Sequence, residues 1–587
     1  MWKRRLLPPP LAVAMAMLLA GAALTTCVPD QTGSAETLAA APDSSDSGDD
    51  GQKPSGLAAY LVGRFADAHG DTRAAATFLA IAAAADREIT DLHRLAFTLL
   101  VAEGRFDEAT PMAERLLQID DEAPLPAILL GTRAAAAGQF SAAERQFDAL
   151  PRKGLNAFLA PLLLAWAEAG RGDIDGALRL LKVGGTVKAF APVFDLHAAL
   201  IADLANRPDL AETHFQAALQ GQRTLRAVEA AGAFYQRAGR IEAARALYQK
   251  YHEEQPDRSL FDGDRALAAG SNAPRVVVTY QAGLAEALFD AASLARQSGA
   301  QDLALVFSRL ALNLRPNFPL CQLLLADVLS RQGRLEEAEP VFHAIDPNAT
   351  AADYARLRLA VNLDEAGRTD AAVSELRRLV DSRPDGYDAA MTLGDVLRGH
   401  KRFAEAAEAY DVALRRATSD QKAANPQLWP LYYARGIALE RSGQWPRAEA
   451  DFLQALKLKP DQPDVLNYLG YSWVDQGNNL AEGRSLLERA VKQRPNDGAI
   501  IDSLGWALFR LGDYAGAVRH LERAAELKPE DPTINEHLGD ALWRVGRTDE
   551  ARFQWQRALT LNPEPEQIEP LKAKVSSGQL SSSPTTK

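Results

Sequence analysis

The strongest constraint on this chain is a small residue that returns every 34 positions. From Ala517 in LGDYAGAVRHLERAAELKP, one step of 34 reaches Ala551. Stepping backward reaches Gly483 at 34, Ala448 at 35 and Ala406 at 42, then Ala372, Ala338 and Ala304 at 34 each. A step of 60 leads to Ala244 and one of 33 to Ala211, after which steps of 34 give Ala177, Ala143, Ala109 and Ala75. Of these fourteen units, thirteen carry Ala at this place. A second small place lies twelve residues earlier and holds Gly or Ala in thirteen units, Phe97 being the exception. At Gly470 one inserted residue widens the interval to thirteen. Four residues after the alanine stands a large apolar residue in most units: Phe147, Phe215, Tyr248, Phe342, Tyr410, Phe452, Leu521 and Trp555. Seven units end in proline, at Pro256, Pro316, Pro384, Pro460, Pro495, Pro529 and Pro563.

A fixed period of this length is the mark of a stacked repeat array. Each unit reads as two amphipathic helices joined by a tight turn, often at a glycine such as Gly104, Gly138, Gly239, Gly333, Gly443, Gly512 or Gly546. The small places mark close helix crossings, and the large residue is expected to fill the gap between neighbouring units. Proline stops the second helix, because it lacks an N–H and clashes with the preceding turn. A single unit cannot bury its apolar face, so units must stack. Composition agrees. Aromatics are only 7% of a chain rich in alanine, and alanine favours helix whereas strands draw on β-branched and aromatic residues.

The spacing and the small–Gly–Ala–aromatic–Pro order resemble the tetratricopeptide repeat over about residues 56–563. The resemblance implies an all-α fold, a tetratricopeptide solenoid forming a right-handed superhelix of about fourteen helix-turn-helix repeats. Three stretches carry a narrower likeness: Asn467-Tyr468-Leu469-Gly470-Tyr471-Ser472-Trp473, Asp502-Ser503-Leu504-Gly505-Trp506, and His537-Leu538-Gly539-Asp540 with Trp543-Arg544-Val545-Gly546-Arg547. They resemble bacterial envelope tetratricopeptide lipoproteins. That group includes the adaptor that holds the periplasmic carboxy-terminal processing protease together with its cell-wall hydrolase substrates.

The first 27 residues read as an export signal. Lys3, Arg4 and Arg5 precede the apolar run Leu11–Leu24, which is short for a membrane span of about 20 residues. The end, Leu24-Thr25-Thr26-Cys27, resembles a lipobox with Thr26 in place of the usual small residue, making Cys27 the expected site of lipid attachment. Ordinary cleavage after Ala22 or Ala23 and an uncleaved anchor are the alternatives. Val28 after the cysteine implies an outer-membrane lipoprotein on the periplasmic side. Residues 28–55 are polar, acidic and rich in Ser, Asp and Gly, a composition that suits a tether and cannot fold by burial.

The domain reading is then signal 1–27, tether 28–55, repeats 56–256, an insertion 257–280, repeats 281–563, and a capping helix with a tail over 564–587. The insertion carries a short helix from Leu260 to Ala269, a Gly-Ser-Asn-Ala-Pro break and the extended-looking Val276-Val277-Val278-Thr279. It splits the array into lobes, covers the groove, or is a plain surface loop. A second interruption around Thr418 to Gln427 reads as a loop. Gln567–Val575 is expected to cap the array, and residues 576–587 to be disordered.

Several functions are excluded at this level. A net charge of −12 from 65 basic and 77 acidic residues argues against nucleic-acid binding. Neither GxSxG, HExxH, GxGxxG nor GxxxxGK[ST] occurs. The nine histidines lack zinc-like spacing, although His520 and His537 could approach across adjacent units. Cys321 sits near the start of a first helix and reads as a buried small hydrophobe. No catalytic residue, metal or cofactor is expected.

In the repeat the resemblance implies, the fifth and ninth places of each first helix face the groove. In the last four units the fifth places are Tyr433, Asn467, Asp502 and Glu536, and the ninth are Ile437, Tyr471, Trp506 and Asp540. The twelfth adds Glu440, Phe509 and Trp543. The members that grip a C-terminal carboxylate need Lys and Asn there; these residues are aromatic and acidic. Tyr433, Asn467, Tyr471, Asp502, Trp506, Phe509, Glu536, Asp540 and Trp543 form the expected protein-binding groove, suited to an apolar or basic segment. Packing between repeats is the competing role for the aromatics. Arg441, Arg510 and Arg544 temper the negative potential. The expected function is a non-catalytic adaptor for protein partners, such as a processing protease and cell-wall hydrolases, held at the membrane by lipid. The alternative is an assembly factor for an exported polysaccharide or an outer-membrane machine.

Overall fold

In the computed structural model, residues 54–577 are described apart from 121, 221–222, 255–260, 384–385 and 419–425. The signal, Cys27, the tether and most of the second interruption lie outside the described residues. Among the described residues every regular element is helical.

Fourteen helix pairs follow one another in the predicted register. They run from Gly56–Ala68 with Thr72–Ala85 to Pro532–Arg544 with Thr548–Thr560. Each pair is numbered below as a repeat, in chain order. The turn inside a repeat needs one residue with positive φ. Glycine fills it in twelve repeats, and Asn206 (φ 58) and Lys401 (φ 60) fill it in repeats 5 and 10. At Gly104 (φ 73) the reversal lets the Arg105 N–H return to the Leu100 carbonyl at 2.8 Å, closing the helix end. The residue inserted in repeat 12 is absorbed in its turn, where Gly477 (φ 73) and Asn479 (φ 45) both take the left-handed conformation.

The large residue of the second helix does more than fill the gap between units. A methyl group added at Gly131, Gly232, Gly436 or Gly539 would overlap Phe147, Tyr248, Phe452 or Trp555 of the same repeat. The small place is thus a socket for the large one, and the ring then reaches onward, as Phe452 does to Tyr468 at 5.1 Å. Cys321 is fully buried, its Sγ 3.6 Å from the Ser308 carbonyl, and burial pushes its thiol far above the ordinary range.

The described residues fall into two compact units that divide between Ala372 and Val373, within the second helix of repeat 9. The insertion therefore lies inside the first unit. Its helix is shorter than expected, Gly263–Leu267, because Asp262 caps it by accepting the Arg265 N–H at 2.9 Å. Gly270–Asn272 forms a 3-10 turn rather than a simple break, and Val276–Thr279 pairs with no strand.

The first unit closes on itself. Tyr280–Gln297, the first helix of repeat 7, packs along Leu155–Gly170 of repeat 4. Gly283 lies so close to Trp166 that a methyl there would overlap the indole. Trp166, fully buried, donates from Nε1 to His197 Nδ1 at 2.7 Å, and His197 Nε2 donates to Asp290 at 2.9 Å. Further along, Arg309 donates to the Ala102 carbonyl at 3.3 Å, and Arg334 pairs with Glu103 at 2.8 Å.

The second unit holds repeats 10–14 and ends in a cap. The capping helix, Pro565–Ser577, is longer than the expected Gln567–Val575, and Ser576 and Ser577 are helical rather than disordered. Leu571 of this helix joins the continuous core of repeats 12–14.

Candidate functional site

The nine expected groove residues all lie in the second unit, on the first helices of repeats 11–14, and the structure sorts them into two sets. One set is held by neighbouring side chains. Asp502 is buried, and both its oxygens lie about 3 Å from His537 Nδ1. Asp540, also buried, accepts from Trp555 Nε1 at 2.9 Å and from Lys574 of the capping helix at 2.8 Å. Glu536 accepts from the same lysine at 2.7 Å. Trp543 lies 5.5 Å from Trp555 and packs against the core. Tyr433 lies among Trp429, Phe452 and Tyr468, with centroids 6.0–6.4 Å away. Packing between helices thus takes Tyr433 and Trp543, and the capping helix takes Asp540 and both oxygens of Glu536, the second through Gln567 at 3.5 Å.

The other set is Asn467, Tyr471, Trp506 and Phe509, all half-buried. Trp506 stacks on Phe509 at 4.9 Å and on His537 at 4.2 Å, with interplanar angles of 12° and 15°. Trp506 Nε1 and Asn467 Oδ1 are shielded from solvent and have no partner among the described residues. A donor and an acceptor in that state raise the free energy until a partner supplies the bond. The chemistry on offer is one N–H, one amide oxygen and a flat aromatic stack beside carboxylates.

Electrostatics follow from burial. Burial, then the carboxylates of Asp475, Asp502 and Glu536, pushes the Tyr471 hydroxyl well above its usual range, keeping it neutral. Burial works to lower the His537 pKa, but the bonded Asp502, with Glu536 and Asp540 nearby, outweighs it and holds the ring above its ordinary value. Arg510 turns to the Asp475 carbonyl at 3.2 Å, and Arg544 lies over the Tyr514 ring at 5.5 Å. Arg441 lies over Phe403 at 5.2 Å. His537, which the sequence allows to approach His520, is a buried histidine whose neighbours are Asp502 and Trp506. The signal for it was available, because it stands one place after Glu536 and 35 residues after Asp502.

The same places in the first unit carry different side chains. The fifth places of repeats 3–5 are Ile128, Leu162 and Leu196, the ninth are Thr132, Trp166 and Leu200, and all six are buried.

This geometry defines an all-helical tetratricopeptide solenoid. Models of the tetratricopeptide repeat match residues 357–421, 433–498 and 503–564, and another model of the repeat matches 162–182 and 319–344. Over those stretches the chain is similar to the tetratricopeptide repeat. The TPR repeat-containing protein PA4667 of Pseudomonas aeruginosa is 31% identical over 197 residues, 32% of this chain and 32% of that protein. Bacteriophage adsorption protein A of Escherichia coli K12 is 35% identical over 82 residues, 14% of this chain and 8% of that protein. The matched stretch spans about a third of one relative and less than a tenth of the other. Among solved structures, the Cut9–Hcn1 hetero-tetramer of the APC/C has a TM-score of 0.36 at 16% identity, with 83% of this chain and 96% of that chain covered. Yeast Tom70 has a TM-score of 0.32 at 13% identity, with 89% and 94% covered.

Proposed function

We propose that this protein is a non-catalytic adaptor of the bacterial envelope. It is tethered through a lipid on Cys27, and it holds protein partners on the first-helix surface of repeats 12–14. The observation that carries this reading is the Trp506 stack on the first helix of repeat 13, with its Nε1 unbonded, together with the unbonded Asn467 Oδ1 on the first helix of repeat 12. A partner segment that supplies one acceptor and one donor, with an apolar or basic side chain against the rings, satisfies both atoms and the nearby carboxylates. The likeness of Asn467–Trp473, Asp502–Trp506 and His537–Arg547 to the protease-adaptor lipoproteins supports a processing protease and its cell-wall hydrolase substrates as the partners. The relatives' names add only that they carry the repeat or serve in phage adsorption.

The test is crosslinking of the tagged full-length protein in cells, followed by identification of what copurifies from membranes. A carboxy-terminal processing protease with cell-wall hydrolases is the expected result, lost on Trp506→Ala. Recovery of polymer-export or outer-membrane assembly proteins would replace this reading with the assembly-factor one. Cys27→Ala is expected to release the protein into the soluble periplasm; a mutant that stays on the membrane would remove the lipid from the proposal.

A further inference from the structure

The insertion has no part in the reading above, yet it roofs a cavity of about 320 Å³ in the first unit. The floor is the groove side of repeat 6, where Arg226, Glu229 and Ala233 stand at the second, fifth and ninth places. The insertion contributes Phe261, Ala266 and Ala273 above, and the linkers after repeats 7 and 8 contribute Arg315, Phe318 and Thr350. The volume is roughly twice the ~150 Å³ of an engineered cavity that holds a benzene.

The charges in this cavity differ in how far they are used. Arg226 uses all three of its nitrogens: Nε donates to Glu286 at 2.9 Å, Nη1 donates to Glu229 at 3.0 Å, and Nη2 pairs with Glu286. Glu229 also accepts the Thr350 hydroxyl at 2.6 Å. Arg315 has one bond only, from Nη1 to the Glu286 oxygen that Arg226 already holds, at 2.9 Å. Its Nε and Nη2 have no acceptor among the described residues. Its guanidinium is fixed 4.6 Å from the Phe318 centroid, with Arg226 5.1 Å from the same ring. A planar guanidinium with an unused N–H edge is shaped for a carboxylate. Ala233, Phe261, Ala266 and Ala273 form an apolar patch of the lining, beside the polar Gln236 and Asn348, the acidic Asp346, and an Arg275 already held by Asp203 at 3.4 Å.

We propose that this cavity binds a carboxylate carried on a short apolar body, with the acid on Arg315 and the body against Phe261, Ala266 and Ala273. Glu229 and Glu286 restrict the ligand to a single negative charge, since each already offsets an arginine and both repel a dianion. Burial holds Arg315 below the ordinary guanidinium value, a cost that an added anion reverses. Two sources share this chemistry, the free end of a peptide with an apolar last residue and a short fatty acid. The site is independent of the second unit, so it stands or falls apart from the adaptor reading.

The test is calorimetric titration of the full chain with octanoate and with N-acetyl-leucyl-leucine, each beside its amide. Each acid that binds is expected to bind at least about tenfold tighter than its amide. Arg315→Gln is expected to erase that preference. Ala266→Phe, which removes no charge, is expected to abolish binding while the intrinsic tryptophan fluorescence of the chain stays unchanged. Binding of octanoate alone identifies the fatty-acid source, and binding of the dipeptide alone identifies the chain end. Acids and amides that bind equally, or millimolar acid that gives no heat, would overturn the proposal. Those two outcomes are read on the unaltered chain, so they hold even if a variant fails to fold.

Discussion

Trp166 and Trp506 occupy the same ninth place of their repeats and end in opposite environments. Trp166 is fully buried beneath Tyr280–Gln297 and donates to His197. Trp506 is half-buried, stacked on two rings, and its Nε1 is unbonded. The first unit has used its inner face to bind its own helix, while the second keeps aromatic and amide groups there. One repeat architecture thus gives a closed body and a binding surface, and the side chains at the fifth and ninth places decide which.

The largest test of this contrast is a pair of alanine variants. Trp166→Ala is expected to cost the first unit about 3–5 kcal/mol, the range for removing a buried aromatic. Segment-resolved hydrogen exchange of the full chain should show the loss over 155–204 and 280–297. Trp506→Ala should cost under about 1.5 kcal/mol, because half-burial removes less surface from water, and should act on partner capture. Equal costs at the two sites would break the contrast.

Lys574→Met is next, at about 3 kcal/mol, since it strands Asp540 in the core. Exchange should rise across repeat 14 and leave the first unit unchanged. Smaller again are two glycine substitutions with opposite signs. Gly283→Ala drives a methyl into the Trp166 ring, and overpacking of this kind costs about 1–3 kcal/mol. Gly399→Ala meets open space in a helix and should stabilise the second unit by about 0.5–1 kcal/mol. Thermal melts of the two variants should shift in opposite directions.

The smallest effects are in pH. His537 has a folded pKa above its ordinary value of about 6.5. Its contribution is therefore complete below that pH and is lost as pH rises through the folded pKa. His93, which is buried, is depressed by burial first, with its bond to the Asp86 carbonyl opposing. Its contribution is present above about pH 6.5 and is lost as pH falls through the lower folded value. Relative to the native chain, His537→Gln should lose a stability that shrinks toward pH 8. His93→Gln should lose one that shrinks toward pH 5. Parallel pH profiles for the two variants would contradict both assignments.

The repeat register was legible because its cause is local. A socket at Gly436 and a ring at Phe452 lie within one unit, and so do the turn glycines and the proline stops. The closure of the first unit was not read, because Glu103 and Arg334 are 231 positions apart and no period reports such a contact. A trace was present all the same. Ile128, Leu162 and Leu196 are apolar where Asn467, Asp502 and Glu536 are polar, and an apolar groove place needs a cover. Of the expected site, the Trp506–Phe509 stack came from correct placement on a helix. The capture of Asp540 and Glu536 by Lys574 is not legible in the repeat period, because the capping helix lies beyond the last repeat.

The Glu103–Arg334 contact also sets a schedule. A linear array can begin folding at any repeat, since each unit needs only its neighbour. Repeats 2–5 instead wait for a helix encoded far downstream. At a synthesis rate of about 5–20 residues per second, the 231 positions take roughly 10–50 s. Trp166 lacks its cover until Gln297 is made, 131 positions later and roughly 7–26 s at the same rate, and a holdase that recognises exposed apolar helices has time to act before the body shuts.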